Sequence, residues 1–525
     1  MQGEAPALEL GPGARALRAR PLRRPHDEHA ERARSIRARG ALELGVIVAL
    51  SLFIVLIAAN KPSLLAPTTH IGFYPRWMAG PLGGLLPGLT GDSTALRFLF
   101  TGAIVAMFIA YALLLRIAGQ LPARWVIGAI LAVNLIFLVS PPLALTDMFN
   151  YINYARMEVV HNLNPYTTIP ALEPHSDPAF MLSNWHMLLS PYGPMFTLLT
   201  FAVVPLGVAG SFWALKAILV IASLCMVLLV WLCARLLGRD PVPAVALVGL
   251  NPIVLVWGLG AGHNDFLMIV CMMLGFYLVL RSRPYATAEH WREPGHEGSG
   301  GVRVWLGRVR GLLVPLSPLQ LGAGAAFLMA AGIKASGALL IPVVLASLLR
   351  APRALLQVLL GLLLGGALVA SASLLAFGVH LPDLGTQGSL VTGESIPNLL
   401  GLALGAGGET EALREVMVGA LLLSVLACCW FAWRERDPIT PSGWANVALL
   451  VTLSWVLPWY VLWVLPLAAL SRSRRLRAAS LVLGAYLILV WAPVTGLLWH
   501  TIGFHPEKTQ LGRQHQRDVR ELLYE

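Results

Sequence analysis

The chain has 525 residues, of which 57% are hydrophobic and only 12% are charged. Ordinary soluble domains carry roughly a quarter charged residues, so this composition, with a mean hydropathy of +0.71, excludes a soluble globular protein and predicts a polytopic membrane protein. The formal net charge is +11, but the basic residues stand in short clusters between apolar runs, where they orient helices. We therefore expect no nucleic-acid partner.

The N-terminal 40 residues are rich in arginine and alanine and contain little that a fold could bury. Residues 1–40 are therefore predicted to be a disordered, basic cytoplasmic tail. The apolar run at 41–59 is long enough to cross a membrane and lacks a clear small-residue cleavage site. It predicts the first transmembrane helix, an uncleaved anchor in the plasma membrane.

Further apolar runs follow along the chain. At roughly 20 residues per crossing, the sequence predicts an all-α polytopic membrane protein with about thirteen transmembrane helices in a domain at 41–498. The predicted segments are 41–59, 96–118, 125–145, 211–236, 241–260, 264–281, 312–333, 335–350, 354–377, 414–433, 441–457, 458–471 and 477–498.

Arginine clusters between these segments test the topology. With the N-terminus inside, every cluster falls on one side, as the positive-inside rule requires, provided that the apolar stretch 192–208 does not cross. The prolines and glycine of this stretch suit a helix that lies in the interface. The loops at 60–95, 146–210, 261–264 and 378–413 and the C-terminal tail at 499–525 are then predicted to be extracytoplasmic.

Asp147 stands immediately after an apolar helix, at the start of the first large outer loop. One interpretation is a helix cap, because Thr146 and Asp147 precede a segment with the pattern of an interfacial helix. The other is a general base that accepts the proton of an acceptor hydroxyl while an anomeric carbon is attacked. Cytosolic nucleotide sugars and ATP cannot reach an outer carboxylate, and the chain contains no GxxxxGK[ST] loop.

Two lysines, Lys216 and Lys334, occur near the outer ends of apolar helices, where few cations are expected. Both side chains are long enough to snorkel to the lipid headgroups. The alternative is that their ammonium groups bind a lipid phosphate, which needs cationic donors as it departs.

The turn at Gly262–Asp265 joins two predicted helices at the outer face. Its polar residues either cap the next helix or bind sugar hydroxyls, and His263 is also a candidate proton carrier. The spacing does not fit a metal motif, and no second histidine is near, so no metal ligands are assigned; no cofactor is predicted, and a requirement for a divalent metal is left open. The aromatic residues Trp455, Trp459, Tyr460 and Trp463 either form an interfacial aromatic belt, or one of them, assigned as Trp459, is a platform on which a sugar ring stacks.

Taken in order, these segments resemble the integral-membrane GT-C glycosyltransferases, above all the actinobacterial polyprenol-phosphate-mannose-dependent α-(1→6)-mannosyltransferases and the related family 87 enzymes. The resemblance runs from about residue 125 to about residue 405, and more loosely to 498. It rests on Asp147-x-x-x-Tyr151, Asn164-Pro165-Tyr166, Trp185, Pro191-Tyr-Gly-Pro194, Asn251-Pro252, Gly262-His-Asn-Asp265 and Gly332-Ile-Lys334.

The resemblance implies a GT-C-like bundle of about 13 transmembrane helices with juxtamembrane helices in the outer loop 146–210. It also implies a transferase that moves a hexose, expected to be mannose, from a polyprenyl-phosphate donor to a cell-envelope glycan or glycolipid. The reaction would take place at the extracytoplasmic face, with the lipid-linked sugar as substrate and no nucleotide cofactor. The catalytic base of such an enzyme maps to Asp147.

We therefore predict that Asp147 is catalytic and that three cationic side chains bind the donor phosphate: Lys216, Lys334 and Arg156. The residues expected to contact the sugar and the acceptor are Tyr151, Asn164, Tyr166, Trp185, Tyr192, His263, Asn264, Asp265 and Trp459. The alternative is a transporter or flippase of lipid-linked sugars, with interrupted helices, repeated halves and ionisable residues near the bilayer midplane. The polar groups gather at one face without an internal repeat, which favours the enzyme.

Overall fold

The computed structural model describes residues 25–60, 75–86, 92–143, 147–282 and 316–514, together with residue 517. Every regular element in these residues is a helix. The prediction of an all-α polytopic membrane protein is confirmed.

The described part of the chain forms α-helices of very different lengths. Those before residue 283 are α1 (Pro25–Asn60), α2 (Ser93–Leu115), α3 (Ala123–Leu138), α4 (Asp147–His161), α5 (Pro194–Phe201), α6 (Gly207–Leu236), α7 (Pro241–Gly249) and α8 (Asp265–Ser282). Those after residue 315 are α9 (Pro318–Ile333), α10 (Ile341–Leu348), α11 (Pro352–Phe377), α12 (Leu384–Ser389), α13 (Ile396–Ala403), α14 (Glu411–Glu435), α15 (Ile439–Thr452), α16 (Leu465–Leu470), α17 (Arg474–Trp491) and α18 (Thr495–Thr501). A π-helix at Val254–Gly260 and 3₁₀ helices at Val204–Leu206, Ala335–Leu340 and Pro458–Trp463 connect some of them.

Each of the thirteen predicted apolar segments overlaps a helix in the described residues. By length and composition, however, only six of these helices can cross a membrane, or up to eight if each of two sharply bent pairs is one span. The others are short, such as α3 and α9, or are broken into a 3₁₀ and an α part, as at 335–348 and 458–470. Hydropathy does not register such breaks, so the count of thirteen stays a prediction.

The N-terminal tail differs from its prediction. The helix α1 begins at Pro25, so residues 25–40 are helical and continue into the first span. Arginine, alanine and glutamate are good helix formers, which explains why a segment with an exposed, charged surface extends a transmembrane helix. Residues 1–24 lie outside the described residues.

The stretch 192–208, predicted to lie in the interface, contains α5 and the 3₁₀ helix before α6. Together with α6 these elements form one apolar run of 43 residues, Pro194–Leu236. At 1.5 Å per residue such a run is about 65 Å long, roughly twice the hydrocarbon thickness of a bilayer. One crossing therefore uses only part of the run, and the interfacial position of α5 stays a prediction.

The helices converge on one end of the bundle, which we call the Asp147 end. There α4 and α8 begin and α9 ends at Ile333, directly before Lys334. Near the start of α6, the ammonium of Lys216 bonds to the carbonyl oxygen of Gly260. The packing of α6 against α8, and of α8 against α9, thus brings polar residues from distant parts of the sequence to the same place.

Candidate active site

Asp147 is the first residue of α4, and most of the helix that follows it is buried. A carboxylate in the first turn of a helix is favoured by the helix dipole, so the capping interpretation describes its local position. The side chain is 18% exposed. Burial raises the pKa of Asp147 to about 6, although the charge of Lys334 and the hydrogen bond from Tyr192 lower it. Asp147 is therefore a carboxylate that titrates close to neutral pH.

A tight turn places His263 beside Asp147. The turn follows the π-helix, and Gly262 adopts a φ of 81°. A Cβ on Gly262 would lie 2.1 Å from the sulfur of Met148, so only glycine allows the turn to approach the start of α4 this closely. As a result, Nδ1 of His263 lies 3.4 Å from Oδ2 of Asp147.

The imidazole of His263 is held in one orientation. Its side chain is 2% exposed, and its ring stacks on Trp459 with centroids 3.5 Å apart and planes 10° apart. Burial, and then the charge of Lys334, lower the pKa of His263 well below its usual value, so the ring is neutral. Because the neighbouring carboxylate accepts hydrogen bonds, the compatible tautomer carries its proton on Nδ1. Nε2 is then an acceptor.

Tyr192 approaches Asp147 from the other side. Its hydroxyl donates to Oδ1 of Asp147 over 3.2 Å. The next residue, Gly193, donates its amide to the carbonyl of Ile333 over 3.1 Å, and a Cβ at Gly193 would lie 2.2 Å from the carbonyl oxygen of Gly332. Backbone thus packs directly on backbone, and the Pro191–Pro194 segment and the Gly332–Lys334 segment reach the site together.

Lys334 forms the cationic part of the site. Its ammonium lies 2.9 and 2.8 Å from the two carboxylate oxygens of Asp265, which also accepts a hydrogen bond of 2.6 Å from the indole of Trp463. The ammonium is 5.0 Å from the ring centroid of Tyr460 and 5.4 Å from that of Trp463. The side chain of Asp265 is fully buried, but that of Lys334 is 23% exposed.

Four buried polar atoms around this cluster have no hydrogen-bond partner in the described part of the chain. They are Nε2 of His263, Oδ1 and Nδ2 of Asn264, and Nε1 of Trp459. Buried polar groups in folded proteins are almost always bonded, and an unmade bond costs about 1 to 3 kcal/mol. The set contains donors and acceptors beside a partly exposed carboxylate, which suits a ligand with several hydroxyl groups.

Comparison with known proteins gives this geometry a context. A family model described as the N-terminal domain of α-(1→6)-mannopyranosyltransferase matches residues 62–350, more than half of the chain. The chain belongs to this mannosyltransferase family. A second model, the C-terminal domain of MptB, matches residues 391–503. The membership predicted from the motifs, in the GT-C type actinobacterial mannosyltransferases, is confirmed.

Curated members of the family support this assignment. An α-(1→6)-mannopyranosyltransferase of Mycobacterium tuberculosis is 27% identical over 402 residues, which cover 68% of this chain and 67% of the relative. α-(1→6)-Mannopyranosyltransferase A of the same organism is 27% identical over 379 residues, with 68% and 67% covered. A probable α-(1→6)-mannopyranosyltransferase of Mycolicibacterium smegmatis is 26% identical over 380 residues, with 66% and 65% covered. No solved structure matches the chain.

Several predicted site residues of this mannosyltransferase meet in the cluster. Asp147 contacts Tyr192 and His263, and His263 stacks on Trp459. Lys334 pairs with Asp265 beside them. Tyr151 packs edge-on against Tyr192, with centroids 4.7 Å apart, and its hydroxyl lies 3.4 Å from the backbone amide of Asn264.

Lys216 has contacts that differ from those predicted. Its side chain is buried, and its ammonium donates to the hydroxyl of Ser140 over 2.7 Å and to the carbonyl of Gly260 over 3.2 Å. These bonds join the end of α3 to the π-helix. The structure therefore gives Lys216 a role in supporting the turn at His263, and does not bring its ammonium to Lys334.

Arg156 also lies elsewhere. Its guanidinium forms a bidentate pair with Asp177, which His161 contacts over 2.8 Å. Burial alone would raise the pKa of Asp177, but the hydrogen bonds from Arg156 outweigh this effect and hold the pKa below its usual value. This triad fastens the end of α4 to the loop that follows it, so Arg156 is occupied within the loop.

The remaining predicted residues shape the same loop. The amide of Asn164 donates to the carbonyl of Phe377 over 2.7 Å, and the hydroxyl of Tyr166 donates to the carbonyl of Tyr192 over 2.8 Å. Trp185 is partly exposed, and its backbone amide lies 3.4 Å from Oδ1 of Asn150. Tyr166 therefore attaches the loop to the backbone of Tyr192, and Asn164 attaches it to the end of α11.

Two aromatic residues around Lys334, Tyr460 and Trp463, were absent from the predicted site. The sequence shows them as part of an aromatic group near the end of an apolar segment, which an interfacial belt explains equally well. Their rings stack with centroids 4.2 Å apart. The available signal was the spacing of Trp459, Tyr460 and Trp463 after Pro458, which places three large rings within one short helix.

Proposed function

We propose that this chain transfers a mannosyl residue from a polyprenyl-phosphate donor to a glycan or glycolipid acceptor on the extracytoplasmic face of the plasma membrane. Family membership supports mannosyl transfer. The observation that carries the mechanism is the setting of Asp147: a partly exposed carboxylate beside four buried polar atoms that lack partners in the described residues.

In the proposed reaction, the oxygen of an acceptor hydroxyl bonds to the anomeric carbon of the donor sugar. The bond from that carbon to the phosphate oxygen breaks, and its electron pair leaves with the polyprenyl phosphate. Asp147 takes the proton of the hydroxyl. A carboxylate with a pKa of about 6 is ionised at neutral pH and is a stronger base than an ordinary aspartate, and general-base catalysis contributes about 10²- to 10⁴-fold.

Lys334 is the proposed partner of the departing phosphate. A lysine ammonium has three N–H donors, and Asp265 accepts from it through both carboxylate oxygens. The partial exposure of Lys334 leaves one donor for a phosphate oxygen. Cationic groups that stabilise charge developing on a leaving group supply a large catalytic effect in transferases. Lys216 and Arg156 are not part of this proposal, because Lys216 is buried against Ser140 and Gly260 and Arg156 pairs with Asp177 in the loop after α4.

The unpartnered atoms suit recognition of sugar hydroxyls. Nε2 of His263 is an acceptor, the amide of Asn264 offers both a donor and an acceptor, and the indole of Trp459 is a donor. A site built to hydrogen-bond hydroxyls rejects analogues that lack them, since its own polar atoms then stay unpaired. These three side chains are therefore proposed to contact the mannosyl group or the acceptor.

The donor class and the side of the membrane are inferred from topology. Placing the arginine clusters inside puts the Asp147 end outside, where cytosolic nucleotide sugars do not reach it and lipid-linked sugars do. The N-terminus is then cytoplasmic. The reaction needs no cofactor in this scheme, since the lipid phosphate itself is the leaving group.

The direct test is transfer by the purified protein in detergent. We expect wild-type protein to move radiolabelled mannose from polyprenyl-phosphate mannose to an α-mannoside acceptor, and Asp147→Asn to be at least about 100-fold slower. The matched control is Asp240→Asn: Asp240 caps α7 through the amide of Val242, and asparagine caps equally well. Full activity of Asp147→Asn would remove the proposed base.

Two further outcomes separate the alternatives. Use of GDP-mannose in place of the lipid donor would contradict the proposed donor class. Activity that requires sealed vesicles would favour the transporter, since transfer needs no closed compartment.

Sidedness is tested with an introduced cysteine. Thr167 lies exposed in the loop after α4, so Thr167→Cys should react with a membrane-impermeant maleimide in intact cells. Arg124→Cys, at the opposite end of the bundle, should react only after permeabilisation. The reverse pattern would place Asp147 on the cytosolic side.

A further inference from the structure

A cavity lies far from Asp147. Its volume is about 1170 Å³, and it opens between the last turns of α8, the second half of α14, and α15. The helix α8 starts in the candidate active site at Asp265, and its Val279 and Leu280 line this cavity. Fourteen residues of helix span about 20 Å, so the cavity is at the opposite end of the bundle.

The walls of this cavity are apolar. Phe431 from α14 and Trp444, Val447 and Val451 from α15 line it. Only 11% of an 18-residue apolar stretch of α14 is buried, which is the lowest share among the six long apolar helices described. Since α14 is the most lipid-exposed of these helices, the space between α14 and α15 is accessible from the membrane.

The rim of the cavity is cationic. Arg239, from the connection between α6 and α7, and Arg472, from the connection between α16 and α17, both line it. Nη1 of Arg239 is buried and has no hydrogen-bond partner in the described part of the chain. Burial, and then the charge of Arg472, lower the pKa of Arg239, against the attraction of Asp437.

Five charged residues line the cavity: three are basic, Arg239, Arg436 and Arg472, and two are acidic, Glu435 and Asp437, so the net charge of the lining is positive. Asp437 is also engaged at the start of α15. Its Oδ1 accepts the backbone amides of Ile439 and Thr440 at the start of α15, over 2.8 and 3.3 Å. Arg477, which does not line the cavity, adds a further positive charge that acts on Arg239. The rim therefore combines crowded arginines with a buried N–H donor that lacks an acceptor, which is the electrostatic complement of a phosphate.

We propose that this cavity binds an anionic phospholipid, with its acyl chains between α14 and α15 and its phosphate against Arg239 and Arg472. A lipid fits better than a soluble anion because the walls are apolar and open to the bilayer. The volume also exceeds the roughly 300 to 1,000 Å³ of ordinary small-molecule pockets. The bound lipid lies in the leaflet opposite to the one that faces Asp147, and its binding does not depend on the transfer reaction.

The proposal is tested by lipid retention. Wild-type protein is reconstituted in nanodiscs that contain equal amounts of phosphatidylglycerol and phosphatidylcholine, then extracted into detergent, and retained lipid is counted by mass spectrometry. We expect phosphatidylglycerol to be retained in preference. Arg239→Gln and Arg472→Gln should each lower its retention about fivefold, since a basic residue near anionic lipid contributes about 1 kcal/mol.

Arg124→Gln is the matched control, because Arg124 is an exposed arginine at the same end of the bundle and does not line the cavity; it should retain lipid as the wild type does. A second variant, Ala448→Phe, keeps every charge but narrows the space between the walls and should also lower retention. Arg472 is exposed, so its substitution should leave folding intact, which a melting curve checks.

Three results would overturn the proposal. One is equal retention of the two lipids by wild-type protein. Another is equal phosphatidylglycerol retention by Arg239→Gln, Arg472→Gln and the control. The third is a photo-crosslinking residue at position 448 that captures a segment of the chain itself instead of lipid.

Discussion

We expect the ionised carboxylate of Asp147, the proposed catalytic base, to make the folded protein less stable at neutral pH. Its carboxylate is mostly buried, and burial raises its pKa from 3.8 to about 6. At neutral pH the folded state therefore holds an ionised group that would be more stable in the unfolded chain. Asp147→Asn removes this charge and keeps an oxygen that accepts the hydrogen bond from Tyr192. We expect the variant to lose transfer and to become more stable.

The magnitude follows from linkage. A rise in pKa from 3.8 to about 6 corresponds to about 3 kcal/mol, and the remaining hydration of an 18% exposed side chain reduces this to about 2 kcal/mol. Because the folded-state pKa is raised, the cost is complete above pH 6. It decreases as the pH falls from 6 to 4 and vanishes when the carboxyl is protonated in both states. The stability advantage of Asp147→Asn should follow the same course.

The assay is thermal unfolding of purified protein in detergent, followed by intrinsic fluorescence at pH 7.5, 6, 5 and 4.5. We expect Asp147→Asn to melt a few degrees above wild type at pH 7.5, with the difference reduced to about a third at pH 4.5. Asp240→Asn provides the control for loss of an ordinary carboxylate. A pH-independent difference, or lower stability of Asp147→Asn at pH 7.5, would refute a costly buried charge. In the wild type, kcat/KM should fall below about pH 6.

Three other substitutions probe the surroundings of Asp147. His263→Asn keeps a hydrogen-bond donor near the position of Nδ1 but removes the acceptor at Nε2. The KM for the acceptor glycan should therefore rise about tenfold, while the fall of kcat/KM on the acid side stays near pH 6. A shift of that pH dependence with an unchanged KM would contradict this role. Lys334→Gln should lower kcat about 100-fold, with partial rescue by Lys334→Arg, and an unchanged kcat for Gln would exclude contact with the leaving phosphate. Asp177→Asn breaks the triad with Arg156 and His161. The variant should show faster proteolysis of the loop after α4, and its KM should rise more than its kcat falls. Proteolysis at the wild-type rate would show that the triad does not fasten the loop.

Hydropathy and motif order predicted much of what positions the site. The apolar segments predicted the helices, because each has the composition that a bilayer requires. The motifs predicted that Asp147, Tyr192, His263, Asp265 and Lys334 share one end of the bundle, since short loops at the ends of spans must lie at the same face. Neither hydropathy nor motif order gives the distances between side chains, so the contact of His263 with Asp147 is visible only in the structure.

Lys216 and Arg156 lie outside the cluster around Asp147, and they show what hydropathy and motifs do not predict. Lys216 was predicted to bind phosphate because a charge near a membrane is costly and needs a partner, and Arg156 was assigned to the phosphate beside it. The partners they have are Ser140 and Gly260 in one case and Asp177 in the other. A sequence shows that a charge requires compensation, but the tertiary fold decides whether a substrate or the protein supplies it.

The backbone of Gly193 packs directly on the backbone of Gly332, and this contact joins two segments that are remote in the sequence. With no side chain between the two backbones, neither stretch can slide without carrying the other. A single methyl group added at 193 would push the hydroxyl of Tyr192 and the ammonium of Lys334 out of place at once. One added atom at position 193 would therefore disturb both the proposed proton acceptor, through Tyr192, and the proposed partner of the leaving phosphate, Lys334.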